Sequence, residues 1–230
     1  MKLLKFAVVP LLLFTAACDY EAKVELYAGD VFEVNSDKPL TVPVELRGEG
    51  TFNKDKCGEL QSKAESVLTK FFEDVTYKSC GKGSGMDSQI TFMAKIPLLS
   101  ASDVKVATEM SFKNPLAVVV AATSNENQRV LVFRRGANYD RFAKKLDDII
   151  NGSDLAEKGG IVSFELQNDL RSPVVYKALS SFVNGEAVGN LTDKKIELDR
   201  RQSVAVRMTD ASSKFLVENG WEVLGDLTQK

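Results

Sequence analysis

The chain has 230 residues, 44% hydrophobic, 27% charged and 8% aromatic, a balance that supports a sizeable core and argues against disorder. Thirty basic against 32 acidic side chains leave a formal charge of −2, without the basic footprint that nucleic acid requires. No histidine occurs anywhere. Its absence removes Ser-His-Asp and Cys-His nucleophile systems and every zinc site built on imidazole.

Lys2 and Lys5 precede an apolar run from Phe6 to Phe14, and Thr15-Ala16-Ala17 supplies small residues before Cys18. This is the order of a cleaved secretory signal peptide. The uncharged stretch Phe6 to Ala17 has 12 residues, whereas a membrane-spanning helix needs about 20. Small residues followed directly by cysteine resemble the lipobox of bacterial lipoprotein precursors. The resemblance covers Met1 to Cys18 alone; Ala16, Ala17 and Cys18 carry it, and Thr15 stands where leucine is usual. It implies cleavage between Ala17 and Cys18, diacylation of the Cys18 thiol, and commonly a third acyl chain on the new amino group. About two acyl chains suffice for stable anchoring, so the body would be held on the membrane facing the periplasm. Asp19 resembles the signal that keeps enteric bacterial lipoproteins in the inner rather than the outer membrane. Residues 1–17 then form the signal peptide and 18–23 a lipidated tether.

Three cysteines is an odd number for an exported protein. Lipidation of Cys18 leaves Cys57 and Cys80 as a pair that an oxidising compartment would join, the alternative being two separate buried thiols.

Val24 and Leu26 alternate with charged residues, as do Val42, Val44 and Leu46, which predicts two half-buried strands separated by turn chemistry at Ser36-Asp37-Lys38-Pro39. From Cys57, apolar positions at Leu60, Ala64, Val67, Leu68, Phe71 and Phe72 follow one helical face. A strand is expected at Val75 to Lys78, so a disulfide would pin helix to strand. Alternation predicts strands at Ile90 to Ile96 and again at Val104 to Phe112. Leu116 to Ala122 and Val130 to Phe133 read as a hairpin buried on both faces. Tyr139, Phe142, Ala143, Leu146, Ile149 and Ile150 mark another amphipathic helix, ended by Asn151-Gly152.

The polar stretch Asn151 to Gly160 is the best candidate boundary between an N-terminal region, 24–152, and a C-terminal region, 160–230, the alternative being one domain formed by both. In the latter, Ile161 to Leu166 reads as a strand. Ser172-Pro173 opens a helix closing at Asn184-Gly185; strands follow at Ile196 to Leu198 and Val204 to Met208. Asp210 caps a helix to Gly220, and Trp221 to Leu224 is a last strand. That order, βαββαβ, is ferredoxin-like. The predicted class is α+β, a mostly antiparallel sheet with amphipathic helices.

No constellation of catalytic residues emerges. Cys80 to Gly85 is glycine-rich but lacks the spacing and helix of a phosphate loop. Ser79 and Lys82 match a Ser-x-x-Lys spacing without its companion motifs. Arg134-Arg135 could hold an anion or be a solvated strand end, and Arg200-Arg201 falls in an expected hairpin turn. Asp147 and Asp148 are adjacent on a helix and diverge by about 100°. Sequons occur at Asn151 and Asn190. The expectation is a membrane-anchored envelope lipoprotein without cofactor, metal or catalysis, acting as a protein-binding or assembly module with an envelope partner. Lipid or apolar-ligand binding is the alternative, and an envelope defence factor, such as one excluding phage, a further one.

Overall fold

The computed structural model describes residues 20–50, 54–82, 88–150, 155–188 and 194–230. In chain order the strands and helices are β1 (Tyr20–Tyr27), α1 (Ala28–Glu33), β2 (Leu40–Gly50), α2 (Cys57–Leu68), β3 (Glu73–Lys82), β4 (Ser88–Ala101), α3 (Val104–Glu109), β5 (Leu116–Ala122), β6 (Gln128–Arg135), α4 (Tyr139–Asp147), α5 (Leu155–Lys158), β7 (Ile161–Gln167), β8 (Val174–Ala178), β9 (Ser181–Val183), β10 (Glu186–Val188), β11 (Lys194–Leu198), β12 (Ser203–Met208), α6 (Asp210–Asn219) and β13 (Trp221–Gln229).

Among the described residues thirteen strands join one sheet, in the order β10-β9-β12-β7-β1-β2-β4-β5-β6-β13-β8-β11, with β3 paired to β4 off this path. The twelve strands of the path curl into a nearly closed, mixed barrel. Two neighbouring pairs are parallel: β1 with β7, from Glu21↔Ile161 to Tyr27↔Gln167, and β4 with β5, from Leu98↔Val118 to Ala101↔Ala121. The rest are antiparallel. The two ends of the path meet through an ion pair, Lys194 Nζ to Glu186 Oε2 at 2.7 Å.

Alternation explains why the sheet curls around one core, because successive side chains point to opposite faces. Ala22, Val24 and Leu26 of β1, Val42 and Val44 of β2, Phe164 and Leu166 of β7 and Val204 and Val206 of β12 all belong to one buried cluster. Between them, Glu21, Lys23, Glu45, Arg47 and Glu165 carry salt bridges. The curl is visible where Phe164 and Tyr176 meet edge to face at 5.8 Å, although β7 and β8 stand far apart in the strand order. Helices α2, α4, α5 and α6 cover the end at which β1 starts and β6 ends. At the other end α1 lies beside the loop after β7, where Gly29 N donates to Asp169 Oδ1 at 2.7 Å. A smaller cluster on the outer wall, with Ala107, Val119 and Val132, lies under α3.

This architecture overturns the α+β, ferredoxin-like expectation. The segment read as a helix from Ser172 to Asn184 is instead strands β8 and β9. Val174, Tyr176 and Ala178 alternate inward along β8, which pairs on both edges, with β11 and β13. Asn184-Gly185 is not a helix stop but the two-residue turn of the β9–β10 hairpin, with φ of 49° and 85°, the left-handed pair that a tight hairpin requires. The strand expected at Val104 to Phe112 is helix α3, because Asp103 accepts from Val106 N at 2.9 Å and caps it. β11 and β12 form no hairpin with each other: β11 pairs with β8, and β12 with β7 and β9. β1 begins at Tyr20, earlier than the expected Val24.

One sheet spans both the 24–152 and the 160–230 regions, since β7 lies beside β1 and β13 beside β6. Among the described residues no helix is long and apolar enough to cross a membrane.

Candidate functional site

The helical end holds an apolar cavity of about 70 Å³. A water-sized group needs ~10–15 Å³ on this measure, so roughly five such groups fit. Ala22, Leu46, Ile90 and Phe92 line it from the barrel, Ala64 and Leu68 from α2, Phe142 and Leu146 from α4, and Leu155 and Leu216 from α5 and α6. Tyr20, the first residue of β1, forms part of the wall.

Local sequence places each wall. α2 ends at Leu68, whose carbonyl accepts from Phe71 N and Phe72 N at 3.0 and 2.9 Å. That turn brings both rings edge-on against Phe142, at 5.6 and 5.0 Å. Asp147 at the end of α4 accepts from Leu155 N and Ala156 N, at 3.0 and 3.1 Å, which caps α5. Gly159 then turns the chain at φ 70°, where an added Cβ would lie 2.3 Å from Val217 Cγ2. Only glycine lets the chain pass so close to α6.

Arg135 is the hub of this end. Its guanidinium lies 3.6 Å over the Tyr139 ring and donates to Val217 O and Asp140 Oδ1, both at 2.6 Å. Burial pushes the Tyr139 hydroxyl up to about 12, against the opposing effect of Arg135. Arg134 points to the other face and donates to Ala107 O and Met110 O, at 2.9 and 2.7 Å, tying α3 to the wall. The arginine pair therefore clamps three helices, and neither residue is a solvated strand end.

At the cavity rim, Glu21 accepts from Arg47 and from Ser163, both at 2.8 Å. Arg47 also donates to Glu45 at 2.6 Å, and Lys78 pairs with the same carboxylate. Burial pushes Glu45 up, but the bonds from Lys78 and Arg47 outweigh it and hold the carboxyl below its usual range. Among the described residues the lining includes no serine, threonine or cysteine, and Glu21, its one carboxylate among them, is engaged. Such a wall can shelter apolar surface.

A second, open groove of about 620 Å³ lies on the outer wall over β6, β13, β8 and β11. Lys177, Lys195 and Lys230 there face Glu197 and Asp226. Lys230 pairs with Glu197 at 2.7 Å, so opposite charges offset one another.

Cys57 and Cys80 are joined as a disulfide with Cα atoms 5.9 Å apart, pinning the start of α2 to β3. Cys80 lies within the strand, not after it. Ser79 and Lys82 are both strand residues on β3, so the helical Ser-x-x-Lys arrangement does not form. Asp147 caps α5 and Asp148 ends α4, in keeping with their divergence. Arg201 sits in a turn at φ 70° with its N–H on Asn168 O. Ala17, Cys18, residues 83–87 and the sequons at 151–153 and 190–192 lie outside the described residues. Among the described residues no group of three His, Cys, Asp or Glu could hold a metal ion.

No sequence feature announced the cavity. Its walls come from β1, β2, β4, β5, β6, β7 and four helices, and its apolar residues each read alone as ordinary core. No curated protein and no solved structure matches the chain. The model of a domain of unknown function, DUF7424, matches residues 20–230, from the first residue of β1 to the end of the chain, and the chain belongs to that family.

Proposed function

We propose that the chain is a membrane-anchored lipoprotein of the bacterial envelope, a non-catalytic binding module whose helical end takes an apolar ligand. The observation that carries this reading is the position of the cavity. It is apolar, its rim charges are paired, and Tyr20 in its wall is two residues from the lipobox Cys18. Concave apolar sites with few polar groups are the usual form of small-ligand pockets. Native mass spectrometry of the Cys18→Ser protein, whose end cavity no lipid of its own can fill, should find a copurified apolar molecule. Ligand-free protein in every preparation, with no thermal shift on adding fatty acid, would sink the idea. Cys18→Ser should move the protein from the membrane to the soluble fraction.

A protein-binding role has its own support on the outer wall. Val106 of α3 and Phe215 of α6 are exposed, and Phe215 stands edge-on to Trp221 at 5.1 Å. Crosslinking in envelope membranes through Phe215 should capture one saturable partner under this reading.

A further inference from the structure

We propose that the ligand of the end cavity is one acyl chain of the protein's own Cys18 lipid, an inference that rests on the lipoprotein reading above. Three observations converge on it. First, the tether is shorter than the alternation of Val24 and Leu26 suggests. β1 is already formed at Tyr20, so Cys18 lies two positions in sequence from a barrel residue. Two residues reach at most about 7 Å, less than the length of a long acyl chain.

Second, the residue at the end of that tether belongs to the cavity. Tyr20 and Gly160 both line it, and a Cβ on Gly160 would lie 3.0 Å from Tyr20 O, so the chain enters the barrel against the cavity wall. A ligand attached two residues away is present at very high effective concentration, which no free molecule in the envelope matches. Third, chemistry selects a slender chain. An apolar wall whose rim charges are already paired suits the end of one unbranched chain, which brings no polar group to satisfy.

The anchor tolerates the loss. About two acyl chains hold a protein stably on a bilayer, and the lipobox pattern implies a third on the Cys18 amino group. That third chain seats between α2, α4 and β1 while the other two stay in the membrane.

The test uses the full chain, expressed in bacteria fed a diazirine-bearing palmitate analogue and irradiated in intact membranes. Digestion should yield the peptide beginning at Cys18 joined through its lipid to wall peptides containing Leu146 or Leu155. Leu146→Trp, which fills the cavity, should abolish that crosslink while membrane retention and the thermal transition persist. Wall peptides joined to phospholipid instead, or a crosslink unchanged in Leu146→Trp, would overturn the proposal. So would an acylated Cys18 that labels only its membrane neighbours. An intact mass showing Cys18 without acyl groups would instead remove the lipoprotein reading itself, so the two failures are told apart.

Discussion

Tyr176 occupies the barrel interior and donates its buried hydroxyl to Leu224 O at 2.6 Å. The next residue of β13, Gly225, makes room for it: at φ 148°, an added Cβ would lie 2.4 Å from Lys177 O and 2.7 Å from the Tyr176 ring. The register of β13 against β6 shifts at this point, between Val223 and Gly225. Tyr176→Phe removes the hydroxyl that donates to Leu224 O and should cost about 1–2 kcal/mol. Gly225→Ala adds a clash to a strained φ and should cost about 3 kcal/mol. Denaturant midpoints check both, and an alanine at position 225 that costs less than the phenylalanine would contradict this packing. Tyr139 gives a pH signature. Its hydroxyl titrates at 10.0 when unperturbed and at about 12 in the fold, because burial disfavours the anion. A raised pKa contributes stability that is complete below the unfolded value and lost as pH climbs through the folded one. Stability should therefore decline between pH 10 and about 12, less steeply in Tyr139→Phe. Burial raises Tyr176 as well, so that variant removes only part of the slope.

The elements differ in how firmly they are held. Joining Cys57 to Cys80, 23 residues apart, closes a loop that should contribute about 3 kcal/mol on the chain-entropy model. The double serine variant should lose that amount, with amide exchange rising first in α2. Helix α3 depends on its cap: Asp103→Ala should speed exchange of the α3 amides and leave the global unfolding midpoint nearly unchanged. This helix also shows where the sequence misleads. Val104, Val106, Thr108 and Met110 recur at every second position, yet Val106 is 41% exposed and the buried residue of α3 is Ala107. The pattern recorded no sheet face, and the local capping bond outweighed it. Residues 172–184 fail in the opposite direction. A Ser-Pro opening and an Asn-Gly close suit a helix, but pairing to β11 and β13 overrides local preference and converts the segment to strands. Where a segment has one wet face and one dry, as in β1, β2, β4, α2 and α4, the periodicity alone locates it. The cavity was not legible for a different reason: Leu68, Leu146 and Leu216 look the same in sequence whether they touch one another or leave a gap.

At the scale of the molecule, no cut leaves two complete sheets. β1 lies between β2 and β7, and β6 between β5 and β13, so each depends on a strand from beyond residue 160. Calorimetry should therefore find one cooperative transition. A chain ending at residue 152 should lack that transition and aggregate through the bared edges of β1 and β6; two separable transitions would refute a shared core. The parallel β1–β7 pairing also sets a timetable. Glu21 meets Ile161, a partner that follows it by about 140 residues, or roughly ten seconds of synthesis at ~5–20 residues per second. Through that interval Ala22, Val24 and Leu26 have β2 on one side and nothing on the other. The first strand to emerge is among the last to be completed, so a chain in transit would depend on a holding chaperone while its first strand waits.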